Sequence, residues 1–139
     1  MTAPTLSVDA RTMMLDGFED FLEVGGGTAN FTVYQGNTAL CVFPLAAAPF
    51  GAGYADSIVA SAPINSTGTE VAGKANRFVI TNQDGDAALS GTISAIGGGG
   101  TIEVPSVTVT AAITQTLNSL VLRMAADGQL SVEASITFV

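Results

Sequence analysis

Two alternating stretches around residue 130 constrain the fold more than any other feature of the sequence. Leu120, Leu122 and Met124 occupy every second position, Asp127-Gly128 follows, and Leu130, Val132, Ala134, Ile136 and Phe138 again occupy every second position. A period of two belongs to a strand with one buried face, and Asp-Gly supplies the backbone geometry of a tight turn. The segment therefore predicts a hairpin that buries its apolar set and turns Ser131, Glu133, Ser135 and Thr137 toward water.

The same signals recur upstream. Ala29 to Tyr34 and Thr38 to Phe43 flank Gln35-Gly36-Asn37, and Asn76 to Thr81 and Ala87 to Ile96 flank a turn containing Asp84-Gly85. Tyr54 to Ala60 reads as a shorter strand. Ile102, Val104, Val107 and Val109 alternate but slip by one residue at Pro105. Proline has no amide to give to a ladder, so it marks a bulge or an edge. About seven or eight short strands at regular spacing predict a mainly β protein, either an antiparallel β-sandwich or a jelly-roll-like barrel.

One helix is expected over about residues 9–24, after an arm at 1–8 and ahead of strands running from about 29 to 139. Ala10, Met13, Met14, Gly17, Phe18, Phe21 and Leu22 fall on one apolar face at helical spacing. Ser7 or Asp9 caps the start and Gly25-Gly26-Gly27 ends it. Gly17 on that face predicts close approach to a sheet. The opposite face holds Asp16, Glu19, Asp20 and Glu23, either simply solvated or an acidic docking surface for a basic patch.

The 139 residues make one domain's worth of chain, long enough to bury roughly two-thirds of its surface. There is no histidine and only one cysteine, which removes the usual Ser-His-Asp and Cys-His machinery, imidazole metal sites, zinc clusters and an intrachain disulfide. Twelve acidic against four basic residues give a net charge of -8, a poor match to a phosphate backbone, so nucleic acid is not an expected partner. The longest unbroken apolar run is Ala39 to Phe43, far short of a membrane helix. Met1 to Thr5 lacks the basic and apolar regions of a secretory signal, so synthesis in a cytoplasm is the expectation. Only 12% of residues are charged, and none lies between Val24 and Ala55 or between Val104 and Leu122. A surface so short of charge suits burial against other protein.

Candidate chemistry is thin. Asn82, Asp84 and Asp86 begin like a calcium loop, but Ile93 stands where the bidentate Glu belongs, so a plain hairpin turn is expected. Gly97 to Gly100 has no following lysine and reads as a flexible connection. Cys41 reads as a small buried hydrophobe, Lys74 as a surface lysine, and Arg77 and Arg123 as outward strand residues or members of an ion pair. No catalytic, metal-binding or cofactor-binding residue is expected, and no cofactor.

Arg11 to Gly25 followed by Phe31-Thr32-Val33-Tyr34-Gln35-Gly36 resembles the opening of small structural proteins of tailed bacteriophages: a helix, a glycine-rich break, and a strand ending in Tyr-x-Gly. Thr69 to Gly91, with Asn76 where an aromatic residue is expected, is similar to the family's strand, Asp-Gly hairpin and strand ending in Gly. Gly97 to Thr110 follows in the same order. The resemblance covers roughly the first 110 residues and implies a virion protein, of the capsid decoration (cement) type, on the capsid surface. It implies as partners the major capsid protein or other virion proteins, and a symmetric homo-oligomer such as a trimer. Expected contact residues are Pro44, Pro49, Phe50 and Tyr54 in a poorly charged loop, with Phe50 equally a candidate for the core, together with the acidic helix face of Asp16, Glu19, Asp20 and Glu23. A ring- or tube-forming tail or neck protein is the alternative, and a bacterial adhesin or pilus-like subunit a further one.

Overall fold

A computed structural model describes residues 4–46, 49–50 and 57–139. In chain order its elements are α1 (Val8–Leu22), β1 (Asn30–Gln35), β2 (Thr38–Pro44), β3 (Ser57–Val59), β4 (Ile64–Asn65), β5 (Gly73–Lys74), β6 (Arg77–Thr81), β7 (Ala87–Ala95), β8 (Ile102–Val104), β9 (Thr108–Val109), β10 (Thr116–Met124) and β11 (Leu130–Thr137). One sheet has the order β2-β1-β6-β7-β8, and a second the order β11-β10-β3 with β4 also paired to β10. The protein is mainly β, a sandwich with an N-terminal helix. One cluster of buried side chains draws on both sheets and on α1.

The three expected hairpins form. β1 pairs with β2, β6 with β7 and β10 with β11, all antiparallel. Leu120, Leu122, Met124, Val132, Ile136 and Phe138 are buried, as their alternation requires. In the first sheet the Phe31 ring stacks on Phe78 at 5.1 Å, and Phe43 meets Phe31 edge-on at 6.1 Å. Phe78 stands opposite Gly91 on β7. A Cβ at Gly91 would come within 2.7 Å of the Phe78 ring, so the glycine is where the ring lies.

Two expectations about strand direction and connection need correction. β8 runs parallel to β7, with Ile93 beside Ile102, so the sheets are not wholly antiparallel. The segment from Gly97 to Gly100 is a held return: the Glu103 carboxylate accepts from the Gly97 and Gly99 amides, and Ser94 Oγ accepts from Gly100. Backbone amides bound this way are ordered by a neighbouring side chain, which a bare glycine run does not announce. Pro105 follows the end of β8, the edge strand of its sheet, in keeping with the slip in the pattern. The expected strand at Tyr54 to Ala60 is present as Ser57–Val59 with an isolated bridge from Ala60 to Phe50; its first residues lie outside the described residues.

The helix differs most. Ser7 caps it, its Oγ accepting from the Ala10 amide, and Glu23 is the C-terminal cap. The face turned to the sheets carries Leu15, Phe18, Glu19 and Leu22, with Leu15 and Leu22 in the core. Met13, Met14 and Phe21 are exposed, and nothing lies within 4 Å of a Cβ built on Gly17. The expected apolar face is thus largely the outer one. α1 has apolar residues on two faces, and the face with Leu15 and Leu22 offers more bulk to the core than one of Ala10, Gly17 and flexible methionines.

Candidate functional site

Where α1 ends, the chain crosses the turn between β6 and β7. Gln83 donates its amide to Leu22 O at 3.2 Å, and a Cβ at Gly25 would sit 2.6 Å from the Asp84 nitrogen. Gly25 has φ +116°, a conformation that glycine adopts without strain. Asn82, buried in that turn, accepts the Asp84 and Asp86 amides through its Oδ1. An asparagine whose oxygen is spent on backbone amides holds a turn, which is the hairpin reading of Asn82, Asp84 and Asp86. Among the described residues, no group of three or more Cys, Asp or Glu side chains is placed to hold a metal ion.

The residues expected at contacts separate into three sets. Phe50 is buried, edge-on to Phe18 at 6.5 Å, and Pro49 is buried beside it, so neither is available as a surface anchor. Pro44 is half-buried at the end of β2, and Tyr54 lies outside the described residues. On the helix, Asp20 and Glu23 are exposed and Asp16 is half-buried.

Glu19 does not belong to a solvated face. It retains 8% of its exposure, and its Oε2 accepts the Phe50 amide at 3.0 Å. Burial pushes its carboxyl up from an ordinary 4.5 to about 7; the Phe50 amide opposes this, and the charges of Glu23 and Asp20 add to it. The carboxyl therefore ties the helix to the segment at Pro49 and Phe50. Its spacing from Leu15 and Leu22, one helical turn each way, was the available signal.

The other buried polar groups also serve the backbone. Glu70 accepts from Ser66 Oγ and the Gly68 amide, and the Ser66 hydroxyl holds its carboxyl below the usual range. Ser66 in turn accepts the Gln115 amide, and Gln115 exchanges hydrogen bonds with the backbone of Val139. Cys41 is buried, and burial, followed by the Glu70 charge, pushes its thiol up to about 12. Such a thiol is not a nucleophile at neutral pH. Arg77 is the outward strand residue expected, alternating with buried Phe78 and Ile80, and it lies over the Tyr34 ring at 4.2 Å and donates to Gly36 O. Arg123 pairs with Glu133 at 3.2 Å on the surface. Lys74 is exposed, and Asn76 spends its side-chain oxygen on the Gly36 amide.

Among the described residues, α1 carries more exposed large apolar side chains than any other single element, and Met13, Met14 and Phe21 lie on its outer side. At about 100° per residue, Met13, Gly17 and Phe21 line up on it with Met14 at one margin, and Val24 follows past the C-terminal cap. Met13 keeps 73% of its exposure, Met14 and Val24 48% each, and Phe21 40%. Asp9, Asp16, Asp20 and Glu23 occupy the roughly 60° sector between this stripe and the buried face. No basic residue lies in the last helical turn, and Asp84 abuts Gly25 just beyond it, so the negative end of the helix gains further negative charge. Comparison with family models, with curated proteins and with solved structures finds no match for the chain.

Proposed function

We propose that this chain is a non-enzymatic structural protein that works by contact with other proteins, as a capsid decoration protein that binds and stabilises a phage shell. The supporting observation is the exposed stripe of Met13, Met14 and Phe21 on a helix whose other side is already anchored in the core, with exposed Val24 just past its end. A helix apolar on both sides is half of a packing arrangement. Glu19, Glu70, Asn82 and Glu103 each place a side-chain oxygen on backbone amides, which favours a scaffold over a reactive centre.

The test is co-sedimentation of the purified protein with phage heads, with genome release on heating read by a DNA dye. The expected result is saturable binding and a higher release temperature. Absence of binding, or turnover of a small molecule by the protein, overturns the reading. Discs or tubes of the protein in negative stain replace it with a tail or neck role.

A further inference from the structure

We infer that the outer face of α1 is a docking site for an amphipathic basic segment of a different protein, its apolar side chains on Met13, Gly17 and Phe21, with Val24 just past the helix end, and its lysines or arginines beside Asp20 and Glu23. The inference rests on the contact reading above and supplies its surface. Gly17 leaves a gap in the middle of the stripe, with nothing near the position of a Cβ, so a partner side chain can enter between Met13 and Phe21 and reach the helix backbone. From Met13 to Phe21 the stripe is about 12 Å long, two turns of a facing helix, and Val24 follows beyond the helix end. Methionines at both margins adapt to the partner's shape.

Charge decides the kind of occupant. The stripe is bordered by carboxylates at i,i+3 and i,i+4 spacing, where like charges repel, and they crowd toward the helix end where the dipole disfavours them. A basic border relieves both. A second copy of this chain cannot provide one: of its four cations, Arg11 is on this helix with its Nε on Ser7 O, Arg77 lies over Tyr34, and Arg123 pairs with Glu133. That leaves the single exposed Lys74. An anionic membrane surface meets the same acidic border and is repelled.

Two labelled synthetic peptides test this by fluorescence anisotropy: an amphipathic helix of leucine and lysine, and its leucine and glutamate counterpart. Binding of the lysine peptide, weakened by salt, is expected, with none of the glutamate peptide. Met13→Ser and Phe21→Ser should each weaken it about fivefold or more. Asp20→Asn with Glu23→Gln should weaken it at low salt only. Ile96→Ser, which alters an exposed apolar residue in the glycine-rich return, should change nothing. Equal binding of both peptides, indifference to the Met13 and Phe21 variants, or flotation with phosphatidylserine vesicles overturns the inference. The phage-head assay separates the two claims. If Met13→Ser and Phe21→Ser still protect heads as well as the parent, the surface is wrong and the decoration role stands. If the parent fails on heads while its peptide binding obeys the variants, the surface stands and the decoration role falls.

Discussion

Removing a carboxylate from water costs several kcal/mol unless something compensates, and at Glu19 the amide of Phe50 is the hydrogen bond that favours the charged form. The group's folded pKa of about 7 lies above its ordinary 4.5, so between those values the folded protein holds a proton that the unfolded chain has released. Stability from this source is complete below about pH 4.5 and is lost as pH rises through 7. Glu19→Gln keeps an oxygen for Phe50 and removes the titration. It should flatten the fall in melting temperature between pH 5 and pH 8 and be more stable than the parent at pH 8 by about 1–3 kcal/mol; calorimetry at the two pH values checks it, and parallel slopes refute it. The sequence offered Glu19 as one of four similar acids. Only the packing of Leu15 and Leu22 on either side sets it apart, and Leu15 had not been assigned to the buried stripe.

At the scale of elements, legibility followed how local the determining contacts are. The hairpins around Gly36, Gly85 and Gly128 were readable, because turn chemistry and alternation sit in adjacent residues. The two-residue strands Ile64–Asn65 and Gly73–Lys74 were not, because they exist only through partners on β10 and β9, some 35 residues or more along the chain. The pattern places helix α1 but not its rotation, since periodicity identifies apolar faces and does not say which one meets the sheets. The apolar stripe that the spacing offers to the core is largely the outer one, while in the acidic sector beside it Asp20 and Glu23 are exposed, as their charge suggests. The β6–β7 turn carries its own prediction. Asn82→Ala deprives the Asp84 and Asp86 amides of their acceptor and should cost about 1–2 kcal/mol, read as a lower urea midpoint with faster hydrogen exchange at those two amides. An unchanged midpoint would show that water replaces the side chain without loss.

For the molecule as a whole, both sheets and the helix feed one cluster of buried side chains, so neither sheet keeps its apolar face covered if the other leaves. Urea unfolding should then be a single transition. In a Tyr54→Phe variant Tyr34 is the remaining tyrosine and reports on the first sheet, while far-UV circular dichroism reports on both. Coincident curves are expected; separated midpoints would mean two folding units. The acidic charge and the scarcity of charge in long stretches were legible from composition, but the place where they leave an uncovered surface was not, because it depends on the rotation of one helix.

The parallel return from β7 to β8 bears on how this chain reaches its native state. Ile93 finds Ile102 only nine positions on, as the hairpins find their partners nearby, whereas Asn30 must meet Thr81, and Ser57 must meet Arg123, from about fifty to sixty-five positions away. Short closures are entropically cheap and fast, so β6, β7 and β8 can assemble by themselves, and the seams of β1 with β6 and of β3 with β10 are the slow joints whose closing sets the tempo of refolding.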